Sequence, residues 1–440
     1  MRHFQVGAGK AEIRYTQDML PTFGENYTGI HDLPMVQALL LQGRESYAIL
    51  SIDVVILFIK KQLLAVAAEE LGIPEENILL HATHTLSTPH FHAWKDAEDW
   101  RNDPPHRRLN LGDAEVETYM RRDNLMAQAH IEAVRAACRM ARENLQPARM
   151  GHGIAKAPIS VNRVVETRDG WWQGVNCDGP SDHHVPVLRF DTLDGRPIAI
   201  VYNCNVAPGC LESSTFDGQR LISGDLASVS ERYVDEAYGG ELVSLYLTGF
   251  TGDQWQALRA KNDRLTRGGE QIVEDFGLGG FALVDVLATR LGEQVVKAAD
   301  SIADTKAGIE PHLDRYTFRY TGQRSSPRAE SGPTRACSFE ETGPMDAEIA
   351  ILQLGEIAVV ACGVELCYET AERIKRESPF AQTLIMEFTT EGGGYLPEEI
   401  FYDRMSFQAR KSRYAKGTAE RFGDDVLVSL RAVKEKYNQK

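Results

Sequence analysis

The forty residues SYAILSIDVVILFIKKQLLAVAAEELGIPEENILLHATHT, Ser46–Thr85, carry the pattern that decides the fold. SYAILSIDVVIL is a short, β-branched, almost wholly apolar run, the signature of a strand buried on both faces. KKQLLAVAAEELGI places its apolar residues at helical spacing and ends in Gly-Ile-Pro, a helix stop. ENILLHATHT reads as a second buried strand. Strand, helix and strand in this order form a βαβ unit, so the two strands are expected to be parallel neighbours in a covered sheet.

The second strand runs directly into a cluster of histidines. His81, His84, His90 and His92 fall within twelve residues, although the 440-residue chain has only 12 histidines. The carboxyl ends of strands are where open α/β sheets bind ligands, so the cluster is placed where a site is expected.

Outward from this unit the chain alternates in the same way. Ala114 to Leu145 is helical, with IEAVRAACRMARENL amphipathic. VPVLRFDTLDGRPIAIVYNCNV reads as two strands about an Asp-Gly turn, and ELVSLYLTGF as a buried strand before a Gly-Asp loop. ALVDVLATRLGEQVVKAA is a helix and AEIAILQLGEIAVVACGVE a second hairpin. CYETAERIKRES and DDVLVSLRAVKEKYN are helices. Thr321 to Asp346 reads as one long polar loop, a lid or excursion. With no repeats and no low-complexity linker, the expectation is a single large α/β domain over residues 1–440, a mixed β-sheet core with covering helices.

Composition narrows the function. Hydrophobic residues at 43% and charged residues at 25% are ordinary for a soluble globular chain, and the formal charge is −15. Such an acidic balance disfavours nucleic acid, and a small-molecule substrate is the expected partner. Asp53 interrupts the one long apolar run and no signal-type stretch opens the sequence, so neither a membrane span nor a membrane partner is expected. The seven cysteines show no CxxC pairing and read as reduced thiols of a cytoplasmic protein. Assembly into a homo-oligomer is left open.

Several segments, in one order, resemble the catalytic domain of the neutral/alkaline ceramidase-like hydrolases. VGAGKAEI and GIHDLPMVQALLL are similar to that family's opening segments, and ILSIDVVIL to its first buried strand. ILLHATHTLSTP resembles its ATHTHSGP signature, SVNRV its Asn-Arg motif, and the hairpin ending NCNVAPG its NYACHPT segment. LISGDLASVSERYVDEAYGGELVSLYLTGFTGD, CGVELCYETAERIKRESPF and GGGYLP are similar to later motifs, so the resemblance runs from Val6 to Pro397. It implies a zinc ion, or another divalent metal, activating water for amide hydrolysis. Carried over residue by residue, the implied metal ligands are His84, Glu365 and Tyr395. Arg163 is the motif arginine, a candidate to hold a substrate oxygen or carboxylate.

Three positions depart from that pattern. The second ligand histidine falls on Ala207, the second histidine of ATHTHSGP on Leu86, and a motif serine near Trp255. His90 and His92, two apart and close to His84, are candidates to supply the missing nitrogen or to line the substrate pocket. His84, Glu365, Tyr395 and Arg163 are the candidate catalytic residues. His90, His92, Asn162, Trp255 and Asp253 are the candidate substrate-binding or supporting ones. His81, His183, His184, Cys204 and Cys210 read as structural.

Three functions follow. The first is metal-dependent hydrolysis of an amide or related C–N bond in a small polar substrate. The second is metal-independent lyase or isomerase chemistry in the same pocket. The third is a non-catalytic, ligand-binding descendant with Trp255 closing the old site.

Overall fold

A computed structural model describes residues 4–103, 106–107, 109–265 and 271–438. The ends of the expected 1–440 domain, residues 1–3 and 439–440, lie outside the described residues.

The expected βαβ unit is present. Strands Ser46–Ile52 and Ile78–Ala82 pair in parallel, and helix Lys60–Leu71 crosses between them. The helix stops at Gly72, whose left-handed conformation (φ 66°) lets its N–H close on Ala68 O. The unit forms one edge of a mixed sheet. From that edge inward follow Met35–Gln42, Gln5–Glu12, Gln146–Lys156, His184–Thr192, Pro197–Cys204 and Val243–Thr248. The last two are parallel, the second such pair in the sheet. A second, four-stranded sheet runs Pro311–Ser326, Ser338–Leu354, Ile357–Cys362 and Gln382–Met386, and its last two strands are also parallel.

The two sheets pack face to face. Leu39, Leu41, Ile49, Leu79, Phe190 and Leu245 from the first meet Leu352, Val359 and Leu384 from the second in one buried cluster. On strand Met35–Gln42 the alternate residues Ala38 and Leu40 point the other way, into the core beneath helices Lys60–Leu71 and Asp113–Glu143. Helices Asp225–Ala237 and Gly279–Asp300 cover the rest of that face. Tyr368–Glu377 and Thr418–Asn438 cover the outer face of the second sheet. The order of layers is therefore helix, sheet, sheet, helix. Both faces of the central strands are apolar because both are covered.

Helix Asp113–Glu143 lies directly on the first strand because that strand offers glycine. A Cβ at Gly7 would stand 2.0 Å from Ala141 O, and one at Gly9 would stand 2.2 Å from Ala137 O.

One element differs from the sequence reading. Thr321 to Asp346 is not a long loop: Pro311–Ser326 and Ser338–Leu354 form a continuous antiparallel ribbon, and only 327–337 connects them. Its outer half projects beyond the core, so it carries cross-strand charge pairs instead of an apolar face. Arg319 opposes Asp346 at 2.7 Å and Arg324 opposes Glu340 at 2.7 Å. Such pairs hold a ribbon together while removing the hydrophobic alternation by which a strand is read.

Candidate active site

The parallel strands of both sheets end on the same side, and the segments that leave them build the site. His84 follows Ile78–Ala82, Ala207 follows Pro197–Cys204, and Thr251–Asp253 follow Val243–Thr248. Glu365 follows Ile357–Cys362, and Phe388 follows Gln382–Met386. Asn203 stitches the two sheets at this end, its amide donating to Leu247 O at 3.0 Å and Ile385 O at 2.8 Å.

His84 leaves its strand in the left-handed region (φ 58°) and its ring stacks on Phe388, centroids 4.0 Å apart and nearly parallel. Its Nδ1 lies 2.6 Å from Val55 O. A carbonyl can only accept, so Nδ1 carries the proton and Nε2 is left with its lone pair. Burial disfavours the imidazolium and the Arg163 charge adds to that, so the pKa falls to about 4. At neutral pH His84 is an uncharged base.

Glu365 and Tyr395 are held side by side. The two-residue strands Glu365–Leu366 and Tyr395–Leu396 pair in parallel with these two residues in register, and Glu365 N donates to Gly394 O at 3.0 Å. The approach requires glycine: a Cβ at Gly393 would meet Gly363 O at 2.1 Å. Burial raises the Glu365 carboxyl to about 7, partly offset by Arg163 and by a hydrogen bond from Tyr395. Burial likewise raises the Tyr395 phenol, which stays neutral.

Arg163 connects this pair to the rest of the site. Its guanidinium donates to Gly252 O (3.0 Å), Thr251 O (3.3 Å), Gln173 Oε1 (3.2 Å) and the Tyr395 hydroxyl (3.0 Å). Nη2 lies 3.9 Å from Glu365 Oε2. Most of its donors are engaged by the protein, so Arg163 is a fixed cation before it is a substrate clamp.

Asn162 and Asp253 are the scaffold beneath it. Asn162 Nδ2 donates to Asp253 Oδ2 at 3.1 Å, and Arg163 N to Asp253 O at 2.8 Å. Asp253 Oδ1 accepts from Tyr368 N, at the start of helix Tyr368–Glu377, at 3.1 Å. Burial pushes the Asp253 carboxyl up to about 6.

Trp255 is half-buried, 5.9 Å from the Arg163 guanidinium and 3.7 Å beneath that of Arg259, which pairs with Glu212 at 2.7 Å. His90 and His92 stand either side of Phe58, at ring distances of 5.0 and 5.4 Å. His90 Nδ1 is bonded to Glu25 at 2.6 Å, and His92 packs against Trp94. His81 is fully buried, its Nδ1 on Glu387 O at 2.7 Å and its Nε2 accepting from Thr248 N at 3.0 Å. These bonds hold it as structural support.

Sequence reasoning missed Glu387 and Phe388. The Glu387 carboxylate is fully buried and ties Leu366 N (2.6 Å) to Thr251 N (3.1 Å) and Thr251 Oγ1 (2.9 Å). It thereby links the segment bearing Glu365 to the turn that holds Arg163. The signal was an acid closing the apolar run QTLIM, the same signal that picks out Glu365 after IAVVACGV.

The donor set can be tested against the implied metal. His84 Nε2, Glu365 and Tyr395 are three donors; the position of the fourth is Ala207, which has none. Among the described residues no group of three or more His, Cys, Asp and Glu side chains is placed to hold an ion. The Tyr395 hydroxyl takes a hydrogen bond from Arg163. These residues do not fit the two-histidine zinc site that the resemblance implies.

No protein-family model matches the sequence, and no curated protein matches it. Solved structures do. The crystal structure of neutral ceramidase from Pseudomonas aeruginosa superposes with a TM-score of 0.70, over 99% of this chain and 75% of that one, at 15% identity. A ceramidase complexed with C2 gives a TM-score of 0.71, over 99% and 76%, also at 15% identity. The fold is that of the neutral ceramidase structures, as the collinear motifs implied.

Proposed function

We propose that this chain is a hydrolase of an amide or related C–N bond in a small polar substrate, worked by His84, Glu365 and Arg163 with Tyr395 in support. The observation that carries the reading is an uncharged imidazole and a carboxyl near 7 that both feel one buried guanidinium, that of Arg163. Groups whose environments drive their pKa values apart take opposite roles in proton transfer.

Water attacking the carbonyl carbon gives its proton to His84 Nε2. The negative charge that develops on the carbonyl oxygen is stabilised by Arg163, a cation fixed before the reaction and needing no reorganisation. Glu365, protonated, gives its proton to the leaving nitrogen as the C–N bond breaks. The proton on His84 then returns to Glu365, and acid and amine depart. Tyr395 hydrogen-bonds to the Glu365 carboxyl and fixes its direction. The likeness in fold to ceramidases supports an amide as the bond cleaved. No described helix is long and apolar enough to cross a membrane.

The test is a panel of N-acyl amino acids and short N-acyl anilides, with amine release followed by mass spectrometry. His84→Ala and Glu365→Gln should each lose about 100-fold or more in kcat/KM, the usual scale of general acid–base catalysis. No amine release by the native protein across the panel, or undiminished release by Glu365→Gln, overturns the reading.

A further inference from the structure

We infer that this chain binds no catalytic metal beside His84: Leu86, Ala207, Gly209 and Gln256 pack together where the fourth ligand would stand. The segment after His84 is tied to the segment bearing Ala207 by Leu86 N donating to Pro208 O at 2.8 Å. Ala207 is thus next to the His84 turn, and what surrounds it decides whether an ion could be held there.

Its surroundings are close-packed. Leu86 Cδ1 and Gln256 Nε2 lie 2.8 and 2.9 Å from where a Cβ on Gly209 would stand, so any larger residue there would have to displace these side-chain ends. The Gln256 side chain, 2% exposed, reaches over and donates to Ala207 O. It is aimed by strand Gln254–Gln256, in which Gln256 pairs with Ser160. The next residue back, Trp255, is fixed beneath Arg259. Four small or uncharged side chains from three segments therefore fit one another, and the arrangement is a packed replacement instead of a vacancy. Gln256 Oε1, buried without a protein partner, is the one side-chain oxygen among these four residues, and a neutral amide oxygen is a poor substitute for imidazole on a transition metal.

Of the neighbouring histidines, His90 is paired through Nδ1 with Glu25 and His92 lies among Phe58 and Trp94.

This inference concerns the proposed hydrolytic site, but its test needs no substrate. The native protein and His84→Ala are incubated with excess zinc, passed through a desalting column, and analysed for magnesium, calcium, manganese, iron, cobalt, nickel, copper and zinc. Equal metal content in the two proteins is expected, whether near zero or bound elsewhere. About one equivalent in the native protein that is lost in His84→Ala overturns the inference. An inactive substrate panel would count against hydrolysis alone.

Discussion

The imidazole of His84 is kept neutral by burial and by the Arg163 charge, against the hydrogen bond to Val55 O, and its ring is stacked on Phe388. Glu365 is pushed the opposite way by the same burial, since desolvation penalises whichever form is charged. The sign for catalysis follows. His84 must be deprotonated to accept a proton, so kcat/KM rises with pH through about 4. Glu365 must be protonated to donate one, so kcat/KM falls as pH rises through about 7. A bell with these limbs is expected from initial rates across pH 3 to 9, and Glu365→Gln should abolish the alkaline limb along with most of the rate. A profile rising steadily to pH 9 would assign the residues other roles. At this scale the sequence was informative where burial leaves a chemical mark. An acid directly after a buried strand, as at Glu365, is costly and therefore meaningful. The tautomer of His84 was not legible, because it depends on Val55 O, 29 positions away.

Among the elements, the βαβ unit of Ser46–Ala82 was legible because strand and helix differ in hydrophobic period and each ends on a recognisable stop. The ribbon Pro311–Leu354 was not, because its outer half is stabilised by paired charges, whose partners are set by register and not by local composition. The opening VGAGKAEI was readable as a strand, but the purpose of its glycines emerges only from the helix lying on them. Gly9→Ala would bring a methyl within 2.2 Å of Ala137 O and 2.6 Å of Ala141 N, both backbone atoms that cannot step aside. Helix Asp113–Glu143 would have to lift, at a cost of about 1–3 kcal/mol. The denaturant midpoint should fall without a change in slope. An unchanged midpoint would mean that the helix is not seated as described.

Across the whole molecule, two sheets with covalently distant strands bring five strand ends to one place. His84, Glu365 and Tyr395, singled out by the family resemblance, each lie at such a strand end or glycine turn. The collinear motifs carried the fold, which the superposition on ceramidase structures bears out over 99% of the chain. What they did not carry is the interior of the site. The altered positions Leu86 and Ala207 are explained only by Gly209, in the same loop as Ala207, and by Gln256, which reaches them from another strand. Glu387, too, acts across sheets, its carboxylate joining Leu366 to Thr251. The central claim is that this fold here holds an acid–base site that works without a metal. Its most direct test is amine release from the best N-acyl substrate by chelator-treated protein, measured beside untreated protein and Glu365→Gln. Equal rates with and without chelator, and a loss of about 100-fold or more in Glu365→Gln, are predicted. Activity that vanishes on chelation and returns with zinc would contradict it.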